Sequence, residues 1–368
     1  MGKMTARLVG WGKFLPEQRI DNATLIREAG VANETGGGRL FNFYNDRGEV
    51  AKAKEMTPEA IVKTTGIHER RWARDDEHPD DFAISVAGEA IRRSGLGPDT
   101  VWRGIFVHSV HRLSAYPSIA QRIQHEFGLT IVDGYAEDCS SACAGYTQQL
   151  QKIYDLMQGN PGPYLVVGAE VMSRITPRDD INFDLWGDAA GATVWVPGEQ
   201  NQPGSMVAVD SSLLTRGAKG DIDPIAMIRE HQKSRTSREK YGHMLMPFGP
   251  NVVRFVRRHV GDTIRNLLRK ANWTGGSRLV LILHQANYNI LKFFPDITRK
   301  MYDGEVVSYM GIVDTGNASS ASTAYGLSTC LDGPDGITEN EIHIQPDDRC
   351  LVIGFGSGMS IHGVAIQF

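Results

Sequence analysis

The feature of the sequence that decides the fold is the stretch AEDCSSACAGYTQQLQ, residues 136–151. Small and hydroxyl-bearing residues surround Cys143, and apolar residues then recur at spacings of three and four, which predicts an amphipathic helix over residues 142–158. Cys143 would lie in the first turn of this helix, where the helix dipole lowers the pKa of a thiol and free N–H groups could bind an oxyanion. The alternative role for this cysteine is that of a small buried apolar residue.

The two halves of the chain resemble each other around this stretch. Three segments have counterparts of similar sequence in the same order: Ile105–His108 with Leu281–His284, Ser140–Cys143 with Ser319–Ser322, and Tyr164–Gly168 with Cys350–Gly354. The offsets are 176, 179 and 186 positions. They predict two duplicated α/β halves, residues 1–197 and 198–368, which join in the turn-rich segment Pro197–Gly204.

Short apolar runs alternate with helical patterns on both sides of the join. The runs typical of buried strands are residues 104–110, 164–168, 192–196, 279–283 and 351–355, and the helical patterns cover residues 79–94, 118–127, 142–158 and 251–270. This alternation predicts an α/β protein with a mostly parallel sheet. Two polar segments are less regular: residues 31–54 are interpreted as a loop or an insertion, and residues 217–242 as a cover over one face. A solvated loop is the simpler interpretation of such segments.

Composition excludes several classes of protein. The 368 residues are 41% hydrophobic and 22% charged, as in a globular protein, and 39 basic against 43 acidic residues leave a net charge of −4. Nucleic-acid and membrane-surface binders carry a basic excess, so neither partner is expected. Four cysteines do not form a disulfide framework, and the N-terminal segment lacks the apolar core of a secretory signal. We therefore expect a reduced, cytoplasmic protein.

Two further residues could act with Cys143. His284 follows a buried strand, which is the usual place for functional groups in α/β sheets, although a satisfied core histidine is the simpler role. Asn317 precedes the helix that mirrors the Cys143 helix, and a helix N-cap is its simpler role. Because the duplication relates the two helix starts by a pseudo-twofold axis, we expect Cys143 and Asn317 to face a shared site beside His284.

The glycine-rich end of the chain, GFGSGMSIHG at residues 354–363, does not fit a dinucleotide loop. Met359 replaces the third glycine, and too few residues follow for a helix and a second strand. A glycine turn that offers N–H groups to a carbonyl oxygen is the better interpretation. The cysteines and histidines do not form a standard zinc pattern, so no metal is predicted.

The chain resembles the β-ketoacyl-acyl-carrier-protein synthase III family of the thiolase superfamily almost from end to end. The resemblance rests on these motifs, in this order: GKFLPEQRIDNATL (12–25), TTGIHERRWA (64–73), AYPSIAQRIQ (115–124), SSACAGYTQQL (140–150), YLVVGAEVMSRI (164–175), FDLWGDAAGATV (183–194), LILHQANYNIL (281–291), DTGNASSAS (314–322) and IGFGSGMSIHGVAIQF (353–368). The ordered set of ACAG, HQAN, GNxS and GFGxG elements is specific to this family.

The resemblance implies a five-layered αβαβα thiolase-like fold, a homodimer, and a catalytic triad of Cys143, His284 and Asn317. It implies that Cys143 takes the acyl group of a CoA or carrier-protein thioester, with the N–H groups of Cys143 and Ser357 as the oxyanion hole. The acyl group would then undergo decarboxylative Claisen condensation with a malonyl thioester, while His284 and Asn317 bind the enolate. No cofactor is implied. Acyl transfer to an oxygen or nitrogen nucleophile, or a non-catalytic partner subunit, are the alternatives.

The sequence also departs from the family at substrate-binding positions. Ala60 and Thr64 stand where members that use acetyl-CoA place a Trp and an Arg, Asn289 stands where an Arg contributes to carrier docking, and Pro250 replaces a CoA-contacting Asn. These changes favour a longer acyl chain delivered on an acyl carrier protein. The resemblance further implies that Tyr116 lines the acyl pocket of the partner subunit, and that Arg254 and Arg257 bind the substrate or its carrier.

Overall fold

The computed structural model describes residues 4–33, 38–44, 49–110, 116–213, 229–230, 244–245, 250–334, 336, 338 and 340–368. Its strands, numbered in chain order, are β1 Met4–Phe14, β2 Gln18–Asp21, β3 Val31–Ala32, β4 Arg39–Tyr44, β5 Val50–Glu55, β6 Glu69–Trp72, β7 Val101–His108, β8 Thr130–Cys139, β9 Tyr164–Val171, β10 Asp188–Glu199, β11 Ser205–Leu213, β12 Arg229–Glu230, β13 Met244–Leu245, β14 Leu279–Leu283, β15 Val306–Ser308, β16 Arg349–Gly356 and β17 Ser360–Gln367. The helices are α1 Asn22–Glu28, α2 Pro58–Thr65, α3 Pro79–Ser94, α4 Ile119–Glu126, α5 Gly145–Leu156, α6 Pro250–Lys270, α7 Tyr288–Leu291, α8 Phe294–Arg299, α9 Ile312–Thr315 and α10 Ala321–Asp332.

One sheet of ten strands runs through the molecule in the order β15-β14-β16-β17-β11-β1-β10-β9-β7-β8. Each half of the sheet uses the same order and the same strand directions, so that β14 corresponds to β7, β16 to β9 and β17 to β10. The halves meet at β1 and β11, which pair only through Arg7 and Ser205. The repetition of topology is the three-dimensional form of the sequence repeat.

The sheet is mixed, so the prediction of a mostly parallel sheet was wrong. Parallel pairing is confined to β7 with β8 and β9, and to β14 with β15 and β16. In each half the last two strands return antiparallel: β10 folds back on β9, and β17 on β16. Residues 357–359 alone connect β16 to β17, which is too short for a parallel return with a crossover helix. Residues 172–187 connect β9 to β10 and contain two short 3-10 segments but no α-helix.

Five layers result, with α3 and α4 outside one half of the sheet, α6 and α8 outside the other, and α5 and α10 packed between the two halves. Strand β14 shows how the layers are formed, because Leu279, Leu281 and Leu283 point to the α6 side while Val280 and Ile282 point to the central helices. Helix α10 is buried from Ala321 to Cys330 and built mostly of small residues. They allow close approach to β10, where a Cβ on Gly191 would come within 2.4 Å of the α10 backbone.

The described part of segment 31–54 forms strands of its own, so the loop interpretation was wrong there, while its being an insertion stays a prediction. Strands β3, β4 and β5 form a small antiparallel sheet. Phe41 is fully buried against the α1–α2 region, and the side chains of Asn42 and Tyr44 donate hydrogen bonds of 2.7 Å to Asp179. The long-range anchor at Asp179 is not visible in the local pattern of the sequence.

Two other sequence predictions can be placed on the fold. Strand β10 continues to Glu199, two residues past the predicted boundary, and β11 begins at Ser205, so the connection itself lies within residues 200–204. The division into two halves at residue 197 stays a prediction. Most of residues 217–242 lie outside the described part of the chain. No helix of the described residues is long and apolar enough to cross a membrane.

Candidate active site

Cys143 is buried, in a short 3-10 turn over Ala142–Ala144 that leads into α5. Ala142 has a φ of 45°, a left-handed conformation that non-glycine residues adopt at a cost and that is concentrated at functional sites. The sharp turn brings the Cys143 backbone against the end of β16. A Cβ on Gly356 would come within 2.8 Å of the Cys143 amide nitrogen, so this position has room only for glycine.

The structure corrects the predicted acidity of this thiol. Cys143 is 9% exposed, and burial raises its pKa to about 11, whereas its position near a helix start led us to expect a lowered pKa. The buried carboxylate of Glu170 also raises it, while the Ser319 hydroxyl and the backbone N–H of Cys143 lower it. Desolvation of the thiolate outweighs the nearby dipoles because a buried charge loses most of its hydration. The resting site therefore contains a neutral thiol.

Asn317 and Cys143 approach each other through one serine. The Asn317 side-chain oxygen accepts the N–H of Ser319 at 2.9 Å, and the Ser319 hydroxyl lies 3.5 Å from the Cys143 sulfur as a donor. Ser319 has a φ of 48°, so the turn before α10 is as sharp as the turn before α5. Asn317 stabilises this turn, and Ser320 occupies the N-cap of α10 that the simpler interpretation assigned to the asparagine.

His284 reaches the same segment from the end of β14. Its imidazole is 2% exposed, and Nδ1 lies 2.9 Å from the Ser322 hydroxyl. Burial lowers the pKa of His284 to about 3, with a small opposing contribution from the Ser319 carbonyl, so the ring is neutral near pH 7. The Asn317 amide nitrogen is 3.5 Å from the carbonyl oxygen of Ala286, two residues after His284. The three residues predicted as a triad thus meet at residues 317–322.

The neighbours of Ser322 determine which ring nitrogen of His284 carries the proton. The Ser322 hydroxyl donates to the Ser319 carbonyl at 2.7 Å and accepts the N–H of Gln285 at 3.1 Å. Since a hydroxyl has one proton, Ser322 must accept from His284, which assigns the imidazole proton to Nδ1. Nε2 then has a lone pair. In the other tautomer, with the proton on Nε2, the Ser322 O–H would donate to Nδ1 instead.

The remaining predicted positions lie at increasing distance from the sulfur. Ser357, the predicted second oxyanion donor, follows Gly356 directly and is half-buried beside the Cys143 turn. Tyr116 is 88% exposed before α4, so within one chain it does not line a pocket. Arg257 is exposed on α6, with its guanidinium 3.7 Å from the centre of the Phe293 ring. The backbone of Arg254 belongs to α6, and its side chain lies outside the described part.

A cavity opens beside α2, at positions predicted from the sequence to differ from those of acetyl-CoA-using enzymes. Its lining includes Ala60, Thr64, Asn182 and Asn287, together with Phe43 of β4 and Lys54 of β5. Asn289, predicted from the sequence to stand where relatives have a carrier-docking Arg, donates from its side-chain amide to the Lys63 carbonyl at 3.0 Å and so helps to hold α7 against α2. The small sheet of β3, β4 and β5 therefore forms one wall of this cavity.

Sequence reasoning missed Ser319, Ser322 and the close contact of Gly356. Both serines lie in the DTGNASSAS motif, and their number before a predicted helix was a signal that hydroxyls line the site. Their individual partners are set by the approach of Cys143 and His284 from other strands, which the motif does not encode.

The five-layered fold with this arrangement of Cys143, His284 and Asn317 defines a thiolase-fold enzyme. Two family profiles match the chain. The profile described as 3-oxoacyl-[acyl-carrier-protein (ACP)] synthase III matches residues 137–212, and the profile of the C-terminal part of the same family matches residues 268–368. The β-ketoacyl-[acyl-carrier-protein] synthase III of Listeria innocua is 30% identical over 372 residues, which cover 99% of both chains. The chain belongs to the 3-oxoacyl-[acyl-carrier-protein] synthase III family, whose members are acyltransferases.

Other relatives agree with this assignment. The enzyme of the same name from Bacillus pumilus is 27% identical over 368 residues and 99% of both chains. Among solved structures, 3-oxoacyl-(acyl carrier protein) synthase III from Pseudomonas aeruginosa matches with a TM-score of 0.74 and 24% identity, over 99% of this chain and 98% of that one. The priming β-ketosynthase of a polyketide biosynthetic pathway matches with a TM-score of 0.75 and 24% identity, over 99% and 96%. At this identity the two structures show the common fold.

Proposed function

We propose that the protein is a β-ketoacyl-acyl-carrier-protein synthase III-like enzyme that loads an acyl group onto Cys143 and condenses it with a malonyl thioester. The observation that carries the proposal is the convergence of Cys143, His284 and Asn317 on residues 317–322, with each side chain bonded to that segment or to its serines. A buried neutral thiol, a neutral imidazole and an amide are the groups that acyl transfer followed by enolate stabilisation needs.

In the first half-reaction the Cys143 sulfur attacks the carbonyl carbon of an acyl thioester. With a pKa of about 11 the thiol holds its proton until substrate arrives, and the lone pair on His284 Nε2 can accept it. The carbonyl oxygen becomes an oxyanion, for which the N–H groups of Cys143 and Ser357 are the candidate donors. The C–S bond to the donor thiolate then breaks, and that thiolate takes up the proton to leave as a thiol.

In the second half-reaction a malonyl thioester loses CO₂, and the electron pair of the broken C–C bond forms an enolate. Exchange with solvent water, which takes the proton from Nδ1 of His284 and supplies one to Nε2, gives the other tautomer, and the Ser322 hydroxyl then donates to Nδ1. The N–H at Nε2 can donate to the enolate oxygen together with the Asn317 amide. The enolate carbon attacks the acyl carbonyl and releases Cys143 as a thiolate, which is reprotonated. Ser322 would therefore let one histidine serve both halves.

The proposed donor is an acyl carrier protein or an unusual CoA thioester. Ala60 and Thr64 line the cavity beside α2 and provide neither an aromatic ring nor a guanidinium for an adenine base. Arg257 and Lys292 both lie near the Phe293 ring, at 3.7 and 5.9 Å from its centre, so this surface carries exposed cations suited to an acidic carrier.

A homodimer is proposed as the active assembly. Strand β8 is the last strand of the ten-stranded sheet and exposes Val132 at 45% and Tyr135 at 46%. An edge strand with apolar side chains can pair with a second copy, which would also cover Tyr116. The cytoplasm is the proposed location, because its reducing conditions suit the four free cysteines.

Intact-mass spectrometry tests the function directly. The protein is incubated with acyl-CoAs and acyl carrier proteins of increasing chain length, and acylation is expected to add the acyl mass to wild-type protein and nothing to a Cys143→Ala variant. Addition of malonyl carrier protein should remove the adduct and release CO₂ in equal amount. Loss of the adduct to an alcohol or amine without CO₂ would instead show O- or N-acyl transfer, and equal labelling of the variant would refute the role of Cys143.

A further inference from the structure

A second buried histidine lies next to the nucleophile turn, and neither half-reaction uses it. His108 ends β7 at the position that His284 occupies at the end of β14, and both His108 and Glu170 are fully buried. His108 Nδ1 lies 2.9 Å from Glu170 Oε1 and 2.7 Å from the Ser320 hydroxyl, while Nε2 accepts the backbone N–H of Ser141 at 3.0 Å. A histidine with defined partners on both nitrogens has one possible orientation.

The protons of this network can be assigned from its donors and acceptors. Nε2 accepts from Ser141, so the ring proton is on Nδ1. The Ser320 hydroxyl donates to Glu170 Oε1 at 2.9 Å, and Glu170 Oε2 accepts the N–H of Val110 at 2.8 Å. Each donor in the set therefore has an acceptor. The ring presents Nε2 as an acceptor toward the turn.

The hydrogen bond from the Ser141 N–H to His108 fixes the backbone directly before the Cys143 turn. Ser141 precedes Ala142, whose left-handed φ aims Cys143, so the amide held by His108 is the entrance to the turn. Gly145, the first residue of α5, is the second fixed point. A Cβ there would come within 1.7 Å of the His108 ring, which means that the ring lies flat against the helix start. The imidazole thus packs against both ends of the 3-10 turn.

We propose that His108, oriented by Glu170 and Ser320, is a positioning residue that holds the Ser141 amide and thereby aims the sulfur and the N–H of Cys143 at the acyl carbonyl. The proposal rests on the proposed acyl transfer to Cys143 and adds a residue that touches no substrate. The duplicated fold would then use its two equivalent histidines differently, with His284 facing the reacting groups and His108 holding the nucleophile from the opposite side.

Two near-isosteric substitutions separate the contacts of His108. In His108→Gln the side-chain oxygen can take the place of Nε2 and accept from Ser141, while the bond to Glu170 is lost. In His108→Asn the amide nitrogen can take the place of Nδ1 and donate to Glu170, while the bond to Ser141 is lost. The single-turnover acylation rate constant of Cys143 is measured by quenched-flow intact mass at saturating acyl donor, together with the donor concentration at half-maximal rate.

We expect His108→Asn to lower the rate constant about tenfold to a hundredfold, because a misplaced oxyanion donor or nucleophile costs this much, and to leave the half-maximal concentration unchanged. His108→Gln should stay within about threefold of wild type, since it restores the acceptor that positions the turn. The proposal would be overturned if the two variants had equal acylation rate constants, whether fast or slow. It would also be overturned if His108→Gln were slower than His108→Asn. If the Asn variant does not fold, Gly145→Ala, which displaces the same ring, is expected to show the same loss.

A failure of the proposed function can be distinguished from a failure of this inference. If wild-type protein accepts no acyl group from any thioester, acyl transfer itself is wrong. The variants are then compared by the rate at which iodoacetamide alkylates Cys143, which also depends on how the turn presents the sulfur. The same order, with Gln near wild type and Asn slower, is expected, and any other order overturns the positioning role.

Discussion

Removal of one hydroxyl, in Ser319→Ala, tests how the thiolate of Cys143 is stabilised. The Ser319 hydroxyl lies 3.5 Å from the sulfur and lowers the pKa of a thiol that burial raises to about 11. The Ala variant keeps the backbone N–H that bonds to Asn317, so the turn retains its anchor. The substitution therefore removes a donor to the sulfur and little else.

The expected size follows from the strength of that bond. A hydrogen bond to a charged group contributes about 1.5–3 kcal/mol, and one pKa unit corresponds to about 1.4 kcal/mol. The pKa of Cys143 should therefore rise by about one to two units, which lowers the thiolate fraction about 10- to 100-fold at any pH below 11. A more basic thiolate is a better nucleophile, by about 3- to 10-fold for this shift. The net effect is an alkylation rate about 3- to 10-fold lower.

The assay is the second-order rate constant for iodoacetamide alkylation of Cys143, followed by intact mass between pH 7 and pH 10. Both proteins should show rates that rise with pH across this range, with the variant lower at every point. Ser328→Ala is the matched control, because Ser328 has a buried hydroxyl in α10, the helix that follows Ser319, and this hydroxyl donates to the Gly12 and Ala324 carbonyls rather than to the sulfur. Rates within twofold of wild type for Ser319→Ala, or an equal decrease in the control, would refute the reasoning.

Three further outcomes are expected. Gly356→Ala places a Cβ 2.8 Å from the Cys143 nitrogen and should lower the acylation rate about 10²–10³-fold. Gly97→Ala is the control, because its Cβ meets open space and should leave the rate unchanged. Both rates are measured by quenching the acylation reaction and determining the acylated fraction by mass. In His284→Asn, the free energy of unfolding measured with urea should fall less on acidification, by about 2 kcal/mol between pH 6.5 and pH 4.5. The folded pKa of His284 is lowered to about 3, so only the unfolded state of the wild type takes up the proton in this window; an equal pH dependence in both proteins would contradict this. Val132→Lys combined with Tyr135→Lys should convert a dimer to monomers in analytical ultracentrifugation, since two buried charges would face each other across the β8 edge; an unchanged dimer would rule out this interface.

Much of the secondary structure could be predicted because individual elements carry strong local patterns. Helix α3 covers residues 79–94 and β14 covers residues 279–283, both as predicted. Helix α6 begins one residue earlier than predicted, at Pro250. The strand directions could not be predicted in the same way. Strands β9 and β10, like β16 and β17, are both buried and apolar, and this composition does not indicate that each pair is antiparallel.

The chemistry of the site was only partly visible in the sequence. Cys143, His284 and Asn317 could be found from motifs, but the pKa of the cysteine was predicted in the wrong direction. A helix start is a local feature, whereas the number of atoms that cover the sulfur depends on the whole fold. The loop interpretation of residues 31–54 failed for a similar reason. Asn42 in β4 is held by a hydrogen bond to Asp179, which is 137 residues away along the chain.

The sequence by itself determined the family, the repeated topology and the residues proposed to react, because these depend on local patterns and on their order along the chain. The tertiary structure decided the protonation of those residues and their supports: the neutral thiol of Cys143, the neutral ring of His284, and the network of His108 with Glu170. The physical reason is that desolvation and hydrogen bonding depend on what surrounds a group in space. For Cys143 that surrounding includes Ser319, which is 176 residues away along the chain.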